Sequence, residues 1–268
     1  MGERIYALLD ADFIIKTIIS KKTDGCHLLD RIISDNSYMF VCHEITLKEV
    51  SVHDRFGAAE WLTKAIEDDR IKLYSDYQII EILCSHYGNS GIHFFRDFLR
   101  KSCDAMSSEL YPRHYRKVED YNPEKGESEF ISLVSECDCE VERGSSLGEI
   151  KLMILARMML YFHPGKVYLF YSDDRKARAG MFAVAGIPCK SVMSIFWDLY
   201  KEGVSRKEAE DYFLPFKDYL TGNGLYSGNI RVCNTDRTCL LKIPCQQVFD
   251  EIFEGRFDSM MDGMLRYL

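Results

Sequence analysis

Short apolar runs alternate with stretches of helical periodicity along most of the chain. Residues 5–9 (IYALL) are apolar and end at Asp10, the pattern of a buried parallel strand that delivers an acid at its C-terminal end. Residues 13–19 and 27–33 read as helices and residues 38–42 as a second strand. The segment 46–50 is helical, and in 58–68 Ala59, Leu62 and Ile66 fall on one helical face. A third strand over 71–74 and a helix over 77–87 follow. The alternation resumes with a helix over 149–162, a strand over 166–171, a helix over 174–185, a short strand over 187–189 and a helix over 192–202. Such alternation predicts a mostly parallel sheet covered on both faces.

Two segments depart from this rhythm. Residues 88–146 are polar and helical in places, and read as an insertion carrying a helical arm. Beyond Gly203 the pattern changes again. A helix is expected over 207–220, kinked at Pro215, then a Gly-rich loop over 221–228. Strands over 230–233 and 239–243 flank the turn Asn234-Thr235-Asp236, and helices over 246–253 and 258–268 close the chain. The expected architecture is a Rossmann-like three-layer α/β/α sandwich spanning residues 1–203. It is interrupted at about 88–146 and followed by an α+β appendage over 204–268.

Composition narrows the class. The chain of 268 residues is 47% hydrophobic and 28% charged, as a water-soluble globular protein is. The most apolar run, 150–162, is broken by Lys151 and Arg157, so no membrane span is expected. The first residues enter a strand directly, without a leader-like apolar region. Ten dispersed cysteines contain no C-x-x-C pair, which fits thiols in a reducing, cytoplasmic setting. The seven histidines show no metal-ligand spacing, and Met153, Met158 and Met159 sit in a helix apolar on nearly all sides, as core. A net charge of −8 argues against a surface basic throughout, but leaves room for a local basic strip.

The acids carry the chemical signal. Asp10 ends the first strand with Asp12 close behind. Glu49 lies in the helix after the second strand, Glu149 opens the long apolar helix, and Asp173 and Asp174 end the strand over 166–171. Strand ends of a parallel sheet converge on one edge. Carboxylates brought together there repel one another unless a cation joins them, and hard divalent cations prefer oxygen donors. Two such ions roughly 3.5–4 Å apart activate water and stabilise a leaving oxygen in phosphodiester cleavage. Each acid also has a plainer use: Asp10, Asp12 and Asp174 as helix caps or first-turn acids, Ser146 and Glu149 as a capping box, and Glu49 as a solvated helix residue.

These residues resemble the PIN domain ribonucleases, many of which are toxins of bacterial toxin–antitoxin pairs. The resemblance is carried by LLDADFI, ITLKEV, LGEIKLMILARMM and VYLFYSDDRKAR, with AGIPC downstream, and covers about residues 4–75 and 145–203. It implies a PIN-like fold and a Mg²⁺- or Mn²⁺-dependent endoribonuclease. Catalysis is carried by Asp10, Glu49, Glu149 and Asp174, and Asp173 joins them as a metal ligand. Ser172 matches the family's Ser/Thr beside the last acid, a position that orients a ligand or water. It also implies RNA as substrate, an inhibitory or regulatory protein partner, and a homodimer. The chain departs from the family in its long insertion, in its tail, and in a second Gly-Glu pair, Gly126-Glu127, that competes with Gly148-Glu149 for the third acid.

Basic residues supply candidate phosphate contacts. Arg175, Lys176 and Arg178 lie beside the last acids. In the insertion Arg113, Arg116 and Lys117 interleave with Tyr115, as Arg96, Arg100 and Lys101 do with Phe94, Phe95 and Phe98, the composition of a single-strand grip or of an amphipathic helix. Two further readings stand. Asp10-Ala11-Asp12 is a D-x-D after a hydrophobic strand, as in haloacid dehalogenase-like phosphatases, where the first Asp is the nucleophile, the second the acid/base, and Asp173-Asp174 would hold Mg²⁺. The other is a PIN-fold protein-interaction module without catalysis.

Overall fold

The computed structural model describes residues 4–54, 56–141, 146–222, 228–235, 237–239 and 241–263. The chain begins β1 (Ile5–Leu9), α1 (Ala11–Ile19), α2 (Leu28–Ile33), β2 (Tyr38–His43), α3 (Glu44–Val52), α4 (Ala58–Glu67), β3 (Ile71–Tyr74) and α5 (Asp76–Tyr87). The segment expected as an insertion holds α6 (Ser90–Met106), α7 (Leu110–His114), α8 (Arg116–Glu119) and α9 (Glu127–Glu140). The alternation returns with α10 (Leu147–Phe162), β4 (Tyr168–Tyr171), α11 (Arg175–Ala185), β5 (Cys189–Lys190) and α12 (Val192–Lys201). The tail contributes α13 (Arg206–Gly222), β6 (Asn229–Ile230), β7 (Cys233–Thr235), β8 (Arg237–Thr238), β9 (Ile243–Pro244), α14 (Cys245–Phe253) and α15 (Phe257–Met261).

The main sheet has the order β3-β2-β1-β4-β5-β7-β8. The strands from β3 to β5 are parallel, and β7 and β8 join antiparallel. The fold is therefore α/β with a mostly parallel mixed sheet. Helices cover both faces, because each central strand is apolar throughout and alternates its side chains between two cores. Ala7, Leu9, Phe40, Cys42, Leu169 and Tyr171 face one core, which α1, α2, α4, α12, α13 and α14 complete. Leu8, Val41, Tyr168 and Phe170 face the other, built with α5, α6, α9, α10 and α11.

The insertion is an integral layer of the molecule. α6 packs on α5, α10 and α11, while α7 to α9 pack back on α5 and α6. Phe95, Phe98, Leu99, Tyr115 and Phe130 are buried in the second core. The polar look of the segment comes from single outward faces of short helices, whose other faces have the sheet-covering helices to bury against. The expected helical arm is thus a packed outer layer.

The tail extends the sheet. β7 pairs with β5 in the register Cys189↔Thr235, and β6 pairs with β9 as a separate two-stranded sheet. The anticipated strands are therefore split between two sheets, and Asn234 stands within β7 rather than in a turn; Asp236 lies outside the described residues. α13 continues through Pro215 and packs on α1, α12 and α14. Most of the Gly-rich loop, and residues 264–268 of the last expected helix, also lie outside the described residues. α15 ends at Met261.

Two helices approach backbone to backbone at Gly91, at the start of α6. A Cβ there would stand 2.5 Å from Leu83 C and Cys84 N of α5. Backbone atoms cannot rotate away, so Gly91→Ala is expected to cost about 3 kcal/mol in chemical denaturation. Gly165→Ala, where a Cβ meets nothing within 4 Å, is expected to stay within roughly 0.5 kcal/mol of the parent.

Candidate active site

The strand order reverses between β1 and β4, with β2 and β3 on one side and β5 on the other. Open α/β sheets bind ligands at such a switch point, beyond the carboxyl ends of the strands. Asp10 follows β1 there, and Ser172, Asp173 and Asp174 follow β4.

Asp10 is buried and caps α1. Its Oδ1 accepts from the Ala11 N–H at 2.8 Å, and its Oδ2 from the Ser172 hydroxyl at 2.6 Å. The same hydroxyl oxygen accepts from the Asp174 N–H at 3.0 Å. Ser172 is fully buried, so it stitches the end of β4 to Asp10. The ligand-orienting place expected for it is filled by protein groups. Asp174 is exposed and caps α11, accepting from the Ala177 N–H at 2.8 Å.

Glu49 and Glu149 complete the group from α3 and α10. Gly148 makes room for them: a Cβ on it would lie 2.4 Å from Glu49 Oε1 and 2.6 Å from Oε2. Ser146, just before α10, has a left-handed backbone (φ 66°) and its side chain caps nothing. The S-x-x-E capping box therefore does not form. Glu127 is exposed at the start of α9, with Cys84 as a neighbour, whereas Glu149 acts on Asp10.

Electrostatics links these four acids. Burial foremost, opposed by the Ser172 hydrogen bond and reinforced by repulsion from Asp12, Glu149 and Glu49, raises the Asp10 carboxyl to about 8. Burial and then Glu149 push Glu49 up to about 7. Glu149 is raised by burial and by Asp174, against its own backbone N–H and Lys176. Among the described residues, no three His, Cys, Asp or Glu side chains are gathered closely enough to enclose a metal ion. The four acids face one another without converging. As an all-oxygen, like-charged set with a glycine-made recess beside Glu49, their chemistry fits a hard divalent cation.

Asp12 and Asp173 have a cation of their own. Lys16 Nζ lies 2.7 Å from Asp12 Oδ2 and 3.1 Å from Asp173 Oδ2, and Asp173 Oδ1 accepts from the Val192 N–H at 2.8 Å. Burial would lower the lysine, but attraction to Asp173 and Asp12 holds it above its ordinary range. Both oxygens of Asp173 thus have protein partners, unlike the open role expected for it. Lys16 carried a signal in the sequence, as a lysine four residues after Asp12 in an otherwise apolar helix.

A second buried network lies beside Glu149. Lys151 Nζ is 2.6 Å from Asp76 Oδ2 and 2.7 Å from Asp138 Oδ2. The Tyr115 hydroxyl donates to Asp138 Oδ1 at 2.7 Å. His43 caps α3, accepting from the Ile45 N–H at 3.2 Å, and its Nε2 lies 3.3 Å from Asp76 Oδ1. Burial alone would raise Asp76, but Lys151 and His43 hold it well below the carboxylate range. The network ties α5 and α9 to the helix that bears Glu149. Its sequence signal was Lys151 itself, a charge inside an apolar run.

The basic candidates separate. Arg175 and Lys176 are exposed at the start of α11, and Lys176 acts on Glu149. Arg178 is buried, with Nη1 donating to the Ser172 carbonyl at 2.8 Å, so it is not on an exposed helical face. Arg113, Arg116 and Lys117 are exposed on α7 and α8, which pack on α6 and α9; Lys117 pairs with Glu140 at 3.2 Å. Tyr115, Phe95 and Phe98 point into the core and Arg96 donates to the Tyr121 carbonyl at 2.6 Å. An aromatic stacking platform is therefore not formed by these rings. Comparison of the chain with protein-family models, curated proteins and solved structures finds no match.

The raised acids make a prediction about pH. Glu49 favours its protonated form in the folded state, so its contribution to stability is present below its unfolded value of 4.5 and is lost as pH rises through about 7. In chelator, Glu49→Gln is expected to match the parent melting temperature near pH 4.5. By pH 8 it is expected to be more stable by roughly 1–3 kcal/mol. A variant equally or less stable than the parent at pH 8 would show that Glu49 carries no repulsion.

Proposed function

We propose that the chain is a PIN-type endoribonuclease dependent on Mg²⁺ or Mn²⁺, acting through Asp10, Glu49, Glu149 and Asp174. One observation carries the reading. Four acids from four elements face one another at the switch point, their charges mutually unfavourable, while the adjacent Asp12 and Asp173 share the single cation of Lys16. When bound, the ions activate a water molecule and offset charge on the leaving oxygen.

The chain's own residues fix the rest. Ser172 and the Ala11 N–H hold the Asp10 carboxylate in one orientation. The N-cap bond of Asp174 fixes its side chain at the rim. Lys176 and Arg175, exposed beside these acids, attract the phosphates of an RNA strand, and Arg113, Arg116 and Lys117 offer a separate basic stretch for its flanks. A small inhibitory protein or a second copy of the chain would meet the same exposed rim. The phosphatase reading has weaker support, because both Asp10 oxygens accept protein hydrogen bonds and Asp12 is paired to Lys16.

The test is cleavage of a labelled structured RNA with Mn²⁺ or Mg²⁺. Metal-dependent cutting is expected, abolished by Asp10→Asn and by Glu149→Gln. Gly148→Ala is expected to fold normally, because the obstructed atoms end a flexible side chain, yet to cut roughly 10- to 100-fold more slowly because the Glu49 carboxylate is displaced. A parent protein that leaves RNA intact in both metals but hydrolyses phosphate monoesters would hand the site to the D-x-D chemistry.

A further inference from the structure

Arg178 is 4% exposed, and among the described residues its side chain donates only to the Ser172 carbonyl. Its Nη2 has no hydrogen-bond partner, and no described carboxylate pairs with it. A buried guanidinium without a counter-charge is costly, and the cost is relieved by an anion. Arg178 lines a cavity of about 190 Å³ between α11 and the hairpin of β7 and β8. Arg175, Thr235, Thr238, Cys189 and Cys233 also line it, and no acidic residue does so among the described residues. The Thr238 hydroxyl donates at 3.3 Å to the Cys233 sulfur, a weak acceptor from which a stronger one takes the proton.

We propose that this cavity is a phosphate-binding site, with Arg178 as its buried anchor, Arg175 at its rim, and a wall supplied by the tail's β7–β8 hairpin. Two guanidinium groups suit a tetrahedral oxyanion, since each presents a planar fork of donors. The cavity, half open to solvent, is large enough for one phosphate group. The phosphate comes either from solution or from the end of a nucleotide chain. The proposal is independent of the carboxylate chemistry, because binding here needs no metal.

The test uses the full chain in chelator, where no cleavage occurs. Inorganic phosphate at ten times its Kd is expected to raise the melting temperature by about 3 °C over chloride of equal ionic strength. The rise is expected to vanish in Arg178→Met and to need at least several-fold more phosphate in Arg175→Ala, whose exposed side chain leaves the fold intact should Arg178→Met fail to fold. A short RNA with a 5′-phosphate that binds at least tenfold tighter than its 5′-hydroxyl form, in competition with phosphate, assigns the site to nucleotide ends. Equal binding of the two RNAs, with the phosphate-induced rise intact, assigns it to free phosphate. Phosphate stabilising no better than chloride, or stabilising Arg175→Ala and the parent alike, overturns the proposal.

Discussion

Repulsion among carboxylates at the carboxyl edge of the sheet is the constraint around which the neighbouring structure is arranged. β1 and β4 lie side by side and both end in acids, so the switch point gathers negative charge simply by closing the sheet. The fold answers in two ways. Where a lysine reaches, as Lys16 reaches Asp12 and Asp173, one positive charge is shared between two carboxylates, and burial with the neighbouring acids still raises Asp12. Asp10, Glu49 and Glu149, which no lysine salt-bridges among the described residues, are likewise left with raised proton affinities. Like charges held close together cost stability, and the proposed function gives that cost a use.

The same balance shapes the ground beneath Glu149. Two residues along α10, Lys151 is shared between Asp76 and Asp138, which come from α5 and α9. Helix α5, about 60 residues earlier, is thereby tied to the consecutive helices α9 and α10 within a turn of Glu149. Pairs of this kind contribute little net stability but penalise every arrangement that separates them. The insertion's innermost contribution is thus this clamp, through Asp138 and Tyr115, in addition to the apolar layer it lays over α10.

Much of this was legible in the sequence. The uniformly apolar strands pointed to the two-sided sheet, and the strand-end acids Asp10 and Asp174 marked the edge that Glu49 and Glu149 approach from their helices. What could not be read is what depends on long-range pairing. Lys16 and Lys151 are each just a charge in an apolar helix until Asp173 or Asp76 arrives from elsewhere. Ser172 reads as a site hydroxyl until Asp10 Oδ2 claims its proton. Arg178 follows Arg175 and Lys176 in a basic run, and only the helical turn puts it inside while they stay outside. The insertion was misread for the same reason: short amphipathic helices look polar until the surface they cover is known. The close approach at Gly148 was equally invisible, since the side chain that fills the space beside it, Glu49, comes from another element.

The topology also bears on how the molecule is made. β1 is the middle one of the five parallel strands, and one of its two neighbours, β4, lies about 160 residues further along, as in the pairing Tyr6↔Tyr168. During synthesis β1 can pair with β2 early, but its other edge stays open until well over half the chain has emerged. Contacts of such long range form slowly, and an unpaired apolar edge is prone to wrong partners in the interval. The helices of the insertion, translated in just that interval, are local and quick to form. With α5 they assemble the outer part of the second core before α10 and β4, which complete it around Leu8 and Val41, have been made, so the segment that looks most dispensable in the sequence prepares the surface that receives the sheet's late-arriving strand.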